Sequence, residues 1–284
     1  MNRGIVKKCK RAAGSTLRFI ALALFLAFAV LPLFWIFITS IKPVQEIYTF
    51  PLRYFPSKIS LSGYAKLITF SKFGIYFANS LWISLLAALG GLFISILAGF
   101  ALSRLRSGKK IRGVLLALYF TQMIPTFILM APLFFTLSKL RLTNNRLMLA
   151  VIYAATTVAF GAIMAKSFFD RIPPSIEEAA FIDGCDPFSA LFRVILPISL
   201  PGLVAIFSFA FVNVWNELFL AVMLMSTEWK LTVPVALNSF ISKAGVSWDV
   251  MSAGIIVALV PTMAIFAVGQ KYIVAGLTEG GVKG

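Results

Sequence analysis

The chain has 284 residues, 60% hydrophobic and 13% charged, where soluble domains run roughly 45–50% apolar and about 25% charged. That bias excludes an ordinary soluble domain and predicts an integral membrane protein whose apolar runs cross a bilayer. The net charge of +16 sits beside the apolar runs, which assigns it to anionic lipid and orientation rather than to nucleic acid.

Six charge-free runs are long enough to span. The first, Phe19–Ile41, gives about 23 residues, or roughly 35 Å of helix against a core of about 30 Å. Lys7, Lys8, Lys10 and Arg11 before it resemble the n-region of a signal peptide, but the run is too long for that and its Ala27-x-Ala29 lies inside it. Lys42–Tyr76 follows, too long for a tight turn, with Pro43, Pro51 and Pro56 set among aromatics. It reads as a folded extracytoplasmic cap bedded in the interface by Tyr and Phe. The second span lies within Phe77–Ser103, and the tract "RLRSGKKIR", Arg104–Arg112, reads as a cytoplasmic topogenic loop. The third and fourth spans are Gly113–Ser138 and Leu147–Ala165, the fifth is Gly202–Met225 interrupted by Glu217, and the sixth is Met251–Gln270. Pro125, Pro132 and Pro261 inside spans predict kinks or breaks. With both termini in the cytoplasm, inside segments hold 16 Lys and Arg against 10 outside, so the positive-inside rule favours that orientation.

The loop before the fifth span concentrates the acids. Of ten in the chain, Asp170, Glu177, Glu178, Asp183 and Asp186 fall here. Pro173 and Pro174 end the fourth helix. Ser175 with Glu178 three residues on predicts a capping box, and first-turn acids suit the helix dipole. Gly184 supplies a left-handed stop after Asp183. Asp186 followed by Pro187 predicts a second helix start. "FSALFRVIL" continues it to Pro197, and Pro201 marks entry to the fifth span. The first helix has no Lys or Arg, so it suits a docking element better than a helix lying on lipid, which would carry basic residues.

Glu178-Ala179-Ala180, then Asp183-Gly184, then Pro197 and Pro201 resemble the "EAA" loop of ABC importer permeases, E-A-A-x-x-D-G followed by P-x-x-x-P. "FANSLWIS" (Phe77–Ser84), "QKYIVAGLTEGGVKG" (Gln270–Gly284) and "SIKPVQEIY" are similar to the second permease of maltose-like importers, so the resemblance covers nearly the whole chain. Cys185 stands where that family more often has alanine. The resemblance implies an all-α type I importer permease with six transmembrane helices. It divides the chain into residues 1–74 (N-terminus, first helix and extracytoplasmic segment), a core at 75–270 with the coupling loop at about 166–201, and a cytoplasmic tail at 271–284. It also implies a second homologous permease, two copies of a cytoplasmic ATPase, an extracytoplasmic solute-binding protein, and a bacterial cytoplasmic membrane around them. Glu178 and Asp183 would pair with basic groups on the ATPase; helix capping alone is the other reading of both.

No motor is predicted on this chain. The nearest approach to a P-loop, "GLTEGGVK" at Gly276–Lys283, has Val282 where lysine is needed and no strand before it. ATP and Mg²⁺ are therefore assigned to the partner, with no cofactor here. The chain has no histidine, Cys9 and Cys185 form no Cys-x-x-Cys pair, and no acids have ligand spacing. No metal site and no catalytic residue are predicted, and the chain reads as a transport subunit rather than an enzyme.

In the fifth span, "NVWNELF" places Asn213, Asn216 and Glu217 on one helical face, while Trp215, a further pathway candidate, points elsewhere. Glu217 lies about 15 residues past Gly202, roughly 23 Å along the helix and towards the outer leaflet. An acid there costs roughly 2.5–3.5 kcal/mol to insert, so it should face protein or a wet cavity. These residues, with Gln122 of the third span, are candidates for a polar pathway for hydroxyl-rich solutes. Hydrogen-bonded glue between helices is the alternative. The different-class rival, an ion-coupled carrier, needs several intramembrane charges, and this chain offers essentially one. A permease for a non-sugar solute is the nearer rival.

Overall fold

A computed structural model describes residues 3–69, 71–105, 108–242 and 245–278. Helix α1 (Arg3–Ser40) is followed by two short helices, α2 (Val44–Ile47) and α3 (Ser62–Thr69), and then by α4 (Phe73–Arg104). Next come α5 (Gly108–Met123), α6 (Thr126–Lys139) and α7 (Arg146–Phe169). The loop holds α8 (Pro174–Ile182), α9 (Pro187–Ala190), a π-helical turn over Leu191–Ile195, and α10 (Leu196–Ile198). α11 (Leu200–Trp215), α12 (Phe219–Leu224) and α13 (Val233–Ser239) precede a two-stranded antiparallel ribbon, β1 (Ile241–Ser242) and β2 (Gly245–Val246), and the last helix, α14 (Trp248–Thr278).

Four helices are long and apolar enough to cross a membrane, over Ser15–Ser40, Phe73–Arg104, Arg146–Phe169 and Trp248–Tyr272. Two bent pairs complete six when each is one crossing: α5 with α6, bent by 89°, and Pro187–Ile198 with α11, bent by 82°. The architecture is thus all-α and integral to the membrane, and two of the six expected spans are broken. The third breaks at Ile124–Pro125, because proline fixes the backbone and lacks an N–H. The fifth ends at Trp215 and resumes only at Phe219. By contrast, Pro132 and Pro261 lie inside continuous helices. Of the basic tract at Arg104–Arg112, Arg106 and Ser107 are outside the described residues. α14 carries the chain through Thr278, and the rest of the expected tail, 279–284, is also outside them.

The chain divides into two compact units. The first comprises Met1–Ser71 and Phe240–Val257. Its segment between α1 and α4 is folded rather than a plain tether. Lys66 donates to the buried Asp249 carboxylate at 2.8 Å, and Ser40 pairs with the Tyr64 hydroxyl at 2.9 Å. The Tyr48 hydroxyl donates to the Val246 carbonyl and accepts from the Trp248 N–H. Lys42 donates to the Arg53 carbonyl and lies 4.6 Å over the Trp35 ring. Burial pulls its ammonium below the usual lysine range.

The second unit comprises Lys72–Ser239 and Ala258–Gly284. It is organised by α4 against α7. In lipid the hydrophobic effect does not drive helices together, so close approach through small residues does. A Cβ on Gly99 would sit 2.5 Å from the Ala165 Cβ and 2.8 Å from the Lys166 backbone nitrogen. Two apolar clusters flank this contact. One gathers Ile83, Leu149, Tyr153, Val214 and Leu220. The other gathers Ile96, Phe169, Leu191, Ile195 and Ile206, and so joins the loop's π-helical turn to the spans.

Candidate functional sites: a helical loop and an intramembrane cavity

The loop begins where α7 ends at Phe169. Asp170 closes that end, accepting from Lys166 at 2.5 Å and from Ser103 at 2.7 Å. Pro174 occupies the first turn of α8, where its missing N–H costs nothing. The expected capping box is therefore corrected. Pro173 holds the N-cap position with no side-chain cap, and Ser175 and Glu178 lie inside the helix. Glu177 is the acid that turns inwards. Its side chain is buried and accepts from Arg104 Nε at 2.5 Å, with the Arg104 Nη2 on the same oxygen. Arg104 was legible only as a topogenic charge, and Glu177 only as a first-turn acid. Nothing local marks them as a pair.

The far end of α8 follows its sequence closely. The Gly184 N–H donates to the Phe181 carbonyl at 3.1 Å, and the Cys185 N–H to Ala180 at 3.0 Å, with Gly184 at φ +87°. This is a Schellman closure, which places its C′ residue in the left-handed region. Asp183 is the C-cap and is exposed. Asp186 then caps α9, accepting from the N–H groups of Ser189 and Phe188 at 3.2 and 3.3 Å, with Pro187 behind it. Hydrogen bonding from Ser189 holds its carboxyl below the usual aspartate range. Pro197 lies in α10 and Pro201 in the first turn of α11, on either side of the 82° bend.

Of the Glu178-Ala179-Ala180 run, Glu178 and Ala179 face out and Ala180 is buried. Beside the outward face stand Ile182, 86% exposed, and Phe188, 68% exposed. Two large apolar side chains bracketing a glycine turn form a compact knob suited to a complementary cleft. Cys185 is a half-buried free thiol next to it.

The cavity lies among α5–α7, α11 and the break after it. It measures about 200 Å³ and is lined by Gln122, Thr126, Tyr153, Thr156, Asn213 and Glu217, with the stacked rings of Phe160 and Phe209 at 4.0 Å. Glu217 stands on the broken backbone between α11 and α12. It accepts from the Tyr153 hydroxyl at 2.5 Å and from the Leu220 N–H at 3.1 Å. Its carboxylate thereby satisfies the first free amides of α12, the usual need at a helix start. Three of the five predicted pathway residues, Gln122, Asn213 and Glu217, thus line one cavity. Asn216 does not: it is exposed, and its side chain donates to the Val212 carbonyl of its own helix at 2.8 Å. Asn213 likewise bonds within its helix, to Phe209 at 2.9 Å. Trp215 points away from that face, as its spacing predicts. It is 3% exposed, donates to the Ala258 carbonyl at 3.1 Å, and packs on Phe211 and Phe77 outside the cavity lining. Tyr153, Thr156 and the Phe160–Phe209 pair were not singled out in sequence, because each also suits a helix core. Among the described residues, no three His, Cys, Asp or Glu cluster as metal ligands.

The family model for the binding-protein-dependent transport system inner membrane component matches residues 91–279. Among curated proteins, the chain is 34% identical to the sulfoquinovosyl glycerol transport system permease SmoH of Agrobacterium fabrum, over 96% of this chain and 95% of that one. It is 32% identical to the inner membrane ABC transporter permease YcjP of Escherichia coli, over 93% and 94%. Among solved structures it shares its fold with a chain of a bacterial ABC transporter that imports the acidic polysaccharide alginate. The TM-score is 0.78 at 24% identity, over 93% of this chain and 98% of that one.

Proposed function

Because the chain belongs to the family of binding-protein-dependent transport system inner membrane components, we propose that it is one of two permease subunits of an ATP-driven importer for a sugar, oligosaccharide or polyol in the bacterial cytoplasmic membrane. It contributes half of the translocation pathway. A second homologous permease supplies the other half, and an extracytoplasmic solute-binding protein delivers the cargo. Two copies of a cytoplasmic ATPase carry ATP and Mg²⁺. Both termini lie in the cytoplasm, with residues 1–74, 75–270 and 271–284 as N-terminal, core and tail segments.

The observation that carries this reading is the knob on the loop. Glu178, Ala179, Asp183 and Gly184 are exposed, as are the neighbouring Ile182 and Phe188, at the end of a helix closed by two backbone hydrogen bonds. An ATPase cleft that takes this knob moves it when ATP closes the ATPase pair, and the spans follow. In the cavity, hydroxyl and amide groups match the hydroxyls of a sugar, and the Phe160–Phe209 stack offers an apolar ring face. At about 200 Å³ it is smaller than the roughly 300–1,000 Å³ of ligand pockets in general. It therefore suits a single ring within a pathway completed by the second permease. The Glu217 carboxylate is engaged by Tyr153 and Leu220, which weighs against an ion-coupled carrier.

Uptake of labelled sugars, polyols and glycerol phosphate by cells with and without the gene tests the cargo class. Loss of one solute, restored by the wild-type gene, is the expected result. Purification of the chain without any bound ATPase would overturn the importer assignment; loss of a non-sugar solute alone would overturn only the sugar.

A further inference from the structure

Arg104 ends α4, yet its guanidinium is committed to two other elements. Nε and Nη2 converge on one carboxylate oxygen of Glu177 in α8. Nη1 donates to the Phe169 carbonyl at 3.3 Å, at the end of α7, and to the Ser103 hydroxyl at 2.8 Å. Nη2 also reaches the Ile172 carbonyl at 3.5 Å, in the turn between α7 and α8. The group stands 5.5 Å over the Phe100 ring. Glu177 and Ala180 are the buried side chains of α8, so the ion pair is the polar part of that helix's inward attachment. The other ties from the loop to the spans are apolar: Ile176 of α8 packs against the cluster that holds Leu191 and Ile195 of the π-helical turn. Apolar contacts can slide. A guanidinium fork bound to a carboxylate and two carbonyls fixes distance and direction.

We propose that Arg104 is a positioning residue that transmits movement of α8 to α4 and α7, with Glu177 as its counterpart, so that ATP-driven displacement of the loop reaches the cavity. The role rests on the loop being the ATPase-docking element. Glu178 faces out to the partner, and Glu177 faces in to the spans, so the two neighbouring glutamates divide docking from transmission.

The test uses the complete transporter in native membranes and a readout that needs no knowledge of the cargo. A reporter cysteine at Thr156→Cys, in a chain with Cys9→Ser and Cys185→Ser, is titrated with a water-soluble maleimide, with and without ATP and vanadate. The reporter chain should change its labelling rate with nucleotide. Glu177→Gln and Arg104→Lys should keep the ATPase bound at the parent stoichiometry, while the nucleotide-dependent change in labelling falls by about tenfold, because neither preserves the charged fork. The exchange Arg104→Glu with Glu177→Arg should recover part of the response. An unchanged response in Glu177→Gln, which keeps the volume of the side chain, overturns the proposal even where an Arg104 variant fails to accumulate. Loss of ATPase binding in both variants also overturns it, because the pair then serves docking itself. If the reporter chain binds no ATPase or shows no response to nucleotide, the reading of the loop falls and this inference with it.

Discussion

The loop between α7 and α11 and the cavity beside α11 and α12 are both built at interruptions of a helix, and both put an acid at the interruption. Their surfaces differ in kind. The loop exposes large apolar side chains, Ile182 and Phe188, on a short frame closed by its own backbone. The cavity turns hydroxyls, amides and a carboxylate inwards, and it holds them by contacts between distant helices, such as Tyr153 on Glu217. A surface meant for a protein partner can be specified locally and left unsatisfied until the partner arrives. A polar surface inside a membrane must be satisfied at once, since an unpaired polar group there costs several kcal/mol. The loop is therefore a local design and the cavity a tertiary one.

Mutations can separate the two. The largest effect is expected from Gly99→Leu, which strikes the α4–α7 contact on which both regions rest. The new side chain meets the Lys166 backbone, which cannot step aside, and overpacking of this sort costs about 1–3 kcal/mol. Size-exclusion profiles should show loss of the monodisperse protein, with Gly99→Ala milder.

Gly184→Asp comes next and should strike the loop alone. The residue sits at φ +87°, which side chains adopt at a cost of roughly 1–2 kcal/mol, and the new carboxylate enters the knob proposed to dock the ATPase. Insertion should persist and the melting temperature fall by no more than a few degrees, while co-purified ATPase is lost and uptake drops by about tenfold or more. Undiminished uptake would remove the docking role from this turn.

Glu217→Ala should strike the cavity alone. It strips the cap from α12, worth about 1 kcal/mol, and frees the Tyr153 hydroxyl. The melting temperature in detergent should fall by a few degrees, with ATPase binding intact and Glu217→Gln between the two. Equal melting of Ala and wild type would mean that the break needs no cap.

The smallest effect is expected from Asp186→Ala. Hydrogen exchange at Phe188 and Ser189 should quicken while Asp186→Asn stays near wild type, since Asn also caps well. The hydrogen bonds that hold the Asp186 carboxyl below its ordinary range also give a sign. With the folded-state value depressed, the cap's contribution is present above the unfolded value of 3.8 and is lost as pH falls through the folded one. Exchange at Phe188 and Ser189, corrected for intrinsic rate, should therefore rise only on acidification, and only in the protein that keeps Asp186.

Local chemistry alone determined a good deal. The apolar runs marked the helices that can cross, four continuous and two bent, because about 20 apolar residues have few other stable places. Gly184 and the Asp186–Pro187 pair set the loop's turn and second start, since left-handed backbone and free amides each favour few residue types. The loop's resemblance to the family pattern singles out Glu178, Ala179, Ala180 and Asp183 from the sequence alone. What tertiary structure decided lies where one residue has several equally good local roles. Pro125 breaks its span while Pro132 and Pro261 do not. Trp215 is a core residue rather than a lining one, and the Asn216 side chain is spent on the Val212 carbonyl of its own helix rather than on the cavity. Glu177, rather than Glu178, faces inwards, because its partner Arg104 comes from a helix that ends 73 residues earlier in the chain. Periodicity places side chains on faces, but which face meets which neighbour depends on how separate helices cross. No window of sequence contains that.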